Sequence, residues 1–409
     1  MALIVQKYGG TSVGSIERIH EVAKRIGLWR SKGHQLIIVV SAMSGETNRL
    51  LGLAHQINPM PDPRELDVVL ATGEQVSIGL LAMTLNKMGI LAKSYCGWQV
   101  PVVTDSEHNK ARIYSVDDKA IQTDLAAGFV VIVAGFQGMN SQNEITTLGR
   151  GGSDTSAVAL AIAFKAEECQ IYTDVDGVYT TDPRIEPHAR RLGSITFEEM
   201  LEMASLGSKV LQPRSVELAG KYRVRLRVLS SFKETQEGTL ITFEEDENME
   251  EAIVSGIAFD TNVSCVNVKG VPNKPGSAYQ ILGPIAEANI EVDMIIQNDS
   301  DQNVTDFSFT VPRASGQKAV EILQKQQTQI GMSKIDISDQ FVKLSIVGVG
   351  MRSHCGVAST MFRVLAEQGI NIELIATSEI KISVLINEKY LELAVRVLHK
   401  AFALDTAKS

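Results

Sequence analysis

Three stretches of the chain carry side chains able to bind or move charge. The first is Gly149-Arg150-Gly151-Gly152-Ser153-Asp154-Thr155. Its glycines permit φ > 0 and a close backbone approach to a ligand. The run Ser156 to Ala166 predicts a helix. The turn then stands at a helix N-terminus, where free backbone N–H groups favour an anion. Arg150 adds a planar fork suited to carboxylate or phosphate. Asp154 would repel an anion unless a metal or an ammonium group is also present. A zwitterionic ligand or a metal-bound phosphate fits both residues, and so does a tight turn with Asp154 as a helix cap. The second stretch is Lys7-Tyr8-Gly9-Gly10-Thr11-Ser12, in which a lysine closes a short apolar run. Such a lysine either neutralises a transferring phosphate or is merely solvated. The third is Glu74, which shares an apolar stripe with Leu70, Ile78 and Leu81 at helical spacing. A buried carboxylate needs a partner, either an internal cation or a ligand's ammonium group.

The elements around these residues repeat one pattern. Leu3 to Val5, Gln35 to Val40, Phe129 to Phe136 and Cys169 to Val175 read as buried strands. Each of the first two runs into a turn of small residues and then a helix. After the second strand the turn is Ser41-Ala42-Met43-Ser44-Gly45-Glu46-Thr47-Asn48, with three hydroxyls. Glu65 to Met88 reads as one long helix, Gln99 to Val103 as a strand, and Val224 to Leu229 as a strand whose arginines face solvent or an edge. Thr196-Phe197-Glu198-Glu199 is a capping box. Strand–turn–helix units imply a mostly parallel sheet, with ligands at the carboxyl ends of its strands. The loop Asp176 to Arg184 either holds a nucleotide, with Tyr179 against the base, or is a turn built on Asp-Gly and Asp-Pro chemistry.

At 409 residues the chain exceeds one hydrophobic core, so two or three domains are expected. The net charge of −9 argues against a nucleic-acid surface. Four scattered cysteines make neither a zinc pattern nor a disulfide framework and fit a reducing cytoplasm. No signal peptide and no apolar run of membrane-spanning length is expected. The acidic Glu244 to Glu251 reads as a linker. Beyond it, Pro275-Gly276 through Ile295 realigns with Cys355-Gly356 through Ile375. Each copy reads as a ferredoxin-like βαββαβ unit, serving either a small ligand or dimerisation alone. P-loop, dinucleotide and protein-kinase signatures are absent. Phosphoryl transfer by positioning and charge neutralisation fits the remaining glycine turns, lysines and carboxylates best.

Lys7 to Ser12, Gly149 to Asp154, Tyr172 to Val175, Tyr179 to Arg184 and Gly207-Ser208-Lys209-Val210-Leu211 resemble the signature blocks of aspartate kinases, in order and along the whole chain. The resemblance implies an α/β fold: a three-layer αβα catalytic domain over 1–245, a linker or first regulatory strand over 246–262, and ACT domains over 263–340 and 341–409. It implies transfer of the ATP γ-phosphate, with Mg2+, to L-aspartate. Lys7, helped by Lys209, would neutralise the phosphate and Asp154 would organise the site. Tyr8, Gly9, Gly10, Ser41, Thr173, Asp174, Tyr179, Asp182 and Arg184 would contact the nucleotide. Arg150 would hold the α-carboxylate, with Gly151, Gly152, Ser153 and Thr47 lining the pocket and Glu74 near the ammonium group. The ACT pair implies feedback by lysine, threonine or both and a homo-oligomer through these domains, with no nucleic-acid or membrane partner. Effector candidates are Lys274, Gly276, Ser277, Ala278, Asp293, Gln297 and Asn298 in the first copy, and Asn371, Ile372, Ser378 and Glu379 in the second. Met249 could start a separate regulatory subunit. Kinases of glutamate, N-acetylglutamate or carbamate, and a sensor with an inactive kinase half, are the alternatives.

Overall fold

The β-branched runs Leu3–Tyr8, Gln35–Val40, Val130–Ala134 and Glu168–Thr173 lie side by side in one eight-stranded sheet. They are buried on both faces, which is why they lack polar alternation. The computed structural model describes residues 2–207, 210–233, 237–243, 254–300, 303–349, 351 and 356–406. Within it the chain divides into two units. One comprises Met1–Val178, Arg191–Ser205 and the described part of 209–249; the other comprises Tyr179–Arg190, Leu206–Ser208 and the described residues beyond 250.

In the first unit, the strands neighbouring Leu3–Tyr8 are Gln35–Val40 on one side and Glu168–Thr173 on the other, both parallel. Every pairing in this sheet is parallel except Leu226–Ser230 with Thr239–Thr242. The chain order therefore reverses beside Leu3–Tyr8, and that is where such a sheet opens a ligand crevice. Alternate residues decide the layers. Ile4, Tyr8, Leu36, Ile38 and Val40 share a core with the helices Ile16–Ser31 and Thr72–Lys87. Val5 and Lys7 project to the opposite face, where the helix Gly152–Ala163 crosses the same strands. The strand Leu226–Ser230 is interior to the sheet, and Arg227 pairs with Glu168 there at 2.9 Å. Of the two expected settings the edge is therefore excluded, while Arg223 and Arg225 are exposed to solvent.

Two further expectations are corrected. The long helix over Glu65 to Met88 is two helices, Pro63–Leu70 and Thr72–Lys87. At the junction, the Thr72 hydroxyl donates to the Val69 carbonyl at 2.7 Å, an alternative to the regular helix ladder. Together Pro63–Lys87 is long and apolar enough to cross a membrane by length and composition, which the sequence reading overlooked. Its Ile78, Leu81 and Leu85 face the core. The strand expected at Gln99 to Val103 is only Val102–Thr104, because Pro101 has no N–H to donate to a ladder. It joins a separate four-stranded sheet with Ile113–Val116, Gln137–Met139 and Ile145–Thr147. The capping box forms as read, with the Thr196 hydroxyl and the Glu199 carboxylate exchanging bonds at the start of Phe197–Ser205.

The second unit holds both repeat copies. The first is complete: Ser264–Pro272, Ser277–Glu287, Ile295–Ser300, Val304–Val311, Arg313–Ile330 and Lys334–Ser338. The second runs from Phe341–Val347 through the helix Gly356–Glu367, Leu374–Thr377 and Lys381–Asn387 to the helix Leu391–Ala401. Its fourth strand comes from upstream of the first copy: Gly256–Asp260 pairs antiparallel with Phe341–Val347, Ile257 opposite Ile346. The first copy is thus nested inside the second. Cys355, the acidic linker Glu244 to Glu251 and Met249 lie outside the described residues.

Candidate active site

Lys7 stands at the end of its strand on the face crossed by the helix Gly152–Ala163. Asp154 lies in that helix's first turn. Lys7 Nζ and Asp154 Oδ1 meet at 2.6 Å, each side chain about nine-tenths buried. The approach is a charge contact rather than an aligned hydrogen bond, so the ammonium keeps donors for a third group. A Cβ at Gly9 would stand in ordinary contact with the ammonium, 3.5 Å from Lys7 Nζ.

A cavity of about 410 Å³ opens here, lined by Lys7, Gly9, Gly10, Thr11, Ser41, Thr47, Thr173 and Asp174 among others. Its walls are the turns after three adjacent strands. Gly10 is required by close approach, since a Cβ would stand 3.0 Å from the Ala42 carbonyl. Ala42 also donates its backbone N–H to Glu74 Oε1 at 2.9 Å. Glu74 Oε2 is buried with no partner, and burial pushes the Glu74 pKa up to about 7. Among the described residues no arginine or lysine pairs with it, so the ligand's ammonium group is the partner left to the described site.

The turn before the helix Gly152–Ala163 is shaped by Gly149 (φ +76°) and by Gly151 (φ +70°), its N-cap. Gly151 leaves no space for a Cβ, which would lie 2.1 Å from the Gln212 side chain. Arg150 at the apex is exposed, while Gly152 and Ser153 are buried at the helix start.

Other expected residues are placed differently. The Tyr8 ring is fully buried on the far face of the sheet, stacked 4.7 Å from Tyr172. Only its backbone is available to a ligand. Tyr179, Asp182 and Arg184 belong to the second unit. There Asp182 and Arg184 pair with each other at 2.6 Å, as the Asp-Pro turn reading allowed. Within the same segment the Thr180 carbonyl accepts from the Ile257 N–H at 2.6 Å, and the Thr180 hydroxyl meets His399 Nε2 at 2.9 Å. Lys209 lies outside the described residues.

Among the effector candidates, Lys274 and Ala278 are exposed beside Gly276 (φ +94°) at the start of Ser277–Glu287. The Ser277 hydroxyl donates to the Pro272 carbonyl at 2.7 Å. Asp293 pairs with Lys343, which is buried in the second copy's sheet. Gln297 and Asn298 are exposed on an edge strand, and Asn371 bonds Glu373 at 2.8 Å. Ile372 is half-buried, Ser378 and Glu379 exposed. Thr11, Met43, Ser44 and Gly45 also line the cavity; the sequence reading picked out their two turns but gave these four residues no role. It also missed Asp67, whose signal is an acid inside the apolar run Leu66 to Leu70.

The sequence pattern of the amino acid kinase family matches residues 2–230, and that of the ACT domain matches 263–327 and 344–402. An aspartate kinase of Pseudomonas putida is 63% identical over 405 residues, covering 99% of this chain and 98% of that protein. The chain belongs to the aspartate kinases. It is accordingly an ATP-dependent phosphotransferase with an α/β catalytic fold and a tandem ACT region. The fold resembles E. coli aspartokinase III solved with aspartate and ADP (R-state), with a TM-score of 0.80 and 25% identity over 98% of this chain and 99% of that one. The same enzyme solved with lysine and aspartate (T-state) matches with a TM-score of 0.76, at the same identity and coverage.

Proposed function

We propose that the chain transfers the ATP γ-phosphate to the β-carboxylate of L-aspartate, giving 4-phospho-L-aspartate for lysine, threonine and methionine synthesis in the cytoplasm. The observation that carries this reading is a pair of unfinished charges: Lys7 in the cavity wall, held by Asp154, and the half-satisfied Glu74, bonded to Ala42 of the same wall. Lys7 neutralises the transferring phosphate, with Lys209 assisting, and Asp154 fixes the Lys7 ammonium. Thr173 and Asp174 meet the nucleotide from the next strand end, with Ser41, Gly9 and Gly10 against its phosphates. Glu74 receives the substrate ammonium, Arg150 the α-carboxylate, and Thr47 and the Gly151 to Ser153 backbone line the pocket. Mg2+ arrives with ATP: among the described residues no three His, Cys, Asp or Glu gather to hold it alone.

Lysine and threonine act at the ACT copies through Lys274 to Ala278, Gln297 and Asn298, and through their second-copy counterparts. The edge strands Ile295–Ser300 and Leu374–Thr377 are unpaired on one side and expose Ile295 (50%) and Ile375 (43%). A homo-oligomer through these edges fits them, as does a regulatory subunit begun near Met249. The test is turnover with Mg·ATP and L-aspartate, alone and with lysine, threonine and both. Turnover on aspartate, falling most with both effectors, is expected. Turnover only on glutamate, N-acetylglutamate or carbamate would overturn the acceptor assignment.

A further inference from the structure

We infer that Asp67 and Arg214 are positioning residues that fix the turn carrying Arg150, and so set the affinity for the amino-acid acceptor. The inference rests on the proposed role of Arg150. Asp67 is 0% exposed, an unusual place for a carboxylate with no lysine or arginine paired to it among the described residues. Every bond it accepts ties down the approach to the turn. The Thr147 hydroxyl donates to Oδ1. The Asn109 backbone N–H donates to both oxygens at 3.1 Å, and His108 Nδ1 donates to Oδ2 at 2.8 Å. Thr147 lies three residues before Arg150. Asn109, itself at φ +67°, presses its carbonyl where a Gly149 Cβ would stand, at 3.0 Å.

Arg214 closes the other side. Its two terminal nitrogens donate to the Leu148 and Ala111 carbonyls, each at 2.7 Å. One guanidinium thus fastens the strand entering the turn to the 105–111 loop that Asp67 holds. A planar fork on two carbonyls is a task lysine cannot perform. Arg150, with an exposed side chain at the apex, inherits its direction from this backbone. Neither Asp67 nor Arg214 is among the residues lining the cavity, and the bonds of both go to the loops around the turn.

The test is steady-state kinetics of the full chain for Asp67→Asn, Thr147→Val and Arg214→Lys, alone and combined with Arg150→Ala. Expected is a rise of about tenfold in the aspartate KM for Asp67→Asn and less for Thr147→Val, with kcat and the ATP KM within about twofold of the parent. Because the effect passes through Arg150, these changes should add nothing once Arg150 is alanine. A full, additive rise in the Arg150→Ala background would overturn the inference. So would parallel losses in kcat and ATP affinity that merely track thermal stability. If Asp67→Asn does not fold, Thr147→Val and Arg214→Lys decide on the same criteria. Arg150→Ala with an unchanged aspartate KM would overturn the acceptor role of Arg150 and this inference together. A raised KM for Arg150→Ala with none for the three variants overturns this inference alone.

Discussion

Two ionisable side chains, Lys7 in the cavity wall and Glu74 bonded to Ala42 of that wall, are in opposite states. Lys7 is already paired, so removing it leaves Asp154 as an uncompensated buried charge, a loss of about 3–5 kcal/mol in comparable pairs. Lys7→Ala should therefore cut kcat by about 10²–10³ and also lower the thermal midpoint. Asp154→Asn, which keeps the volume, should lose activity with a smaller stability change; assays alongside thermal denaturation separate the two. Glu74 titrates the other way. Its raised pKa means the folded state takes up a proton between the ordinary carboxylate range and about pH 7. Its contribution to stability thus falls as pH rises through that window, by on the order of 3 kcal/mol in all. An ammonium ligand favours the ionised form, so the aspartate KM should rise as pH drops below about 7 and flatten above it. Glu74→Gln should abolish that slope while weakening binding at every pH. A slope unchanged in Glu74→Gln would assign the titration elsewhere. Lys7, Asp154 and Glu74 were legible in the sequence because an ionisable group in an apolar or glycine-rich setting stands out. The burial of the Tyr8 ring was not legible because a motif gives neighbours in sequence, whereas a strand sends neighbours to opposite faces.

The turn Gly149 to Gly151 shows what an element adds to its residues. Gly149→Ala places a side chain at φ +76° against the Asn109 carbonyl. A loss of about 1–3 kcal/mol and a raised aspartate KM are expected, whereas Gly193→Ala, which meets nothing within 4 Å, should leave kinetics unchanged. Calorimetry and the kinetic split would measure both. The existence of the strands and the capping box was readable from period and cap chemistry. The break at Ala71 was not, because a hydroxyl three residues from a carbonyl leaves no mark on the hydrophobic pattern. The placement of Asp182 and Arg184 was equally hidden, since a turn and a nucleotide loop use the same residue types.

For the whole molecule, the repeat was legible because its spacing is constant, and the catalytic and regulatory halves followed from it. Its nesting was not, since five residues at Gly256–Asp260 resemble any short strand. The pairing makes a prediction about fragments. A regulatory fragment beginning near Met249 retains Gly256–Asp260 and should fold as both copies. One beginning at 263 leaves the Phe341–Val347 edge unpaired and should aggregate or lose the second copy. Size-exclusion chromatography with circular dichroism distinguishes them.

The same nesting imposes a timetable on synthesis. The ribosome delivers Gly256–Asp260 first, then all of the first copy, and only afterwards the Phe341–Val347 strand that pairs with it. Local elements form while the chain is still growing, but this ladder waits on a distant contact. Throughout that interval a strand bearing Ile257 and Phe259 is available to any other edge, including that of a neighbouring nascent chain. Slowing translation between the two segments should thus increase misassembled product without altering a single residue of the finished enzyme.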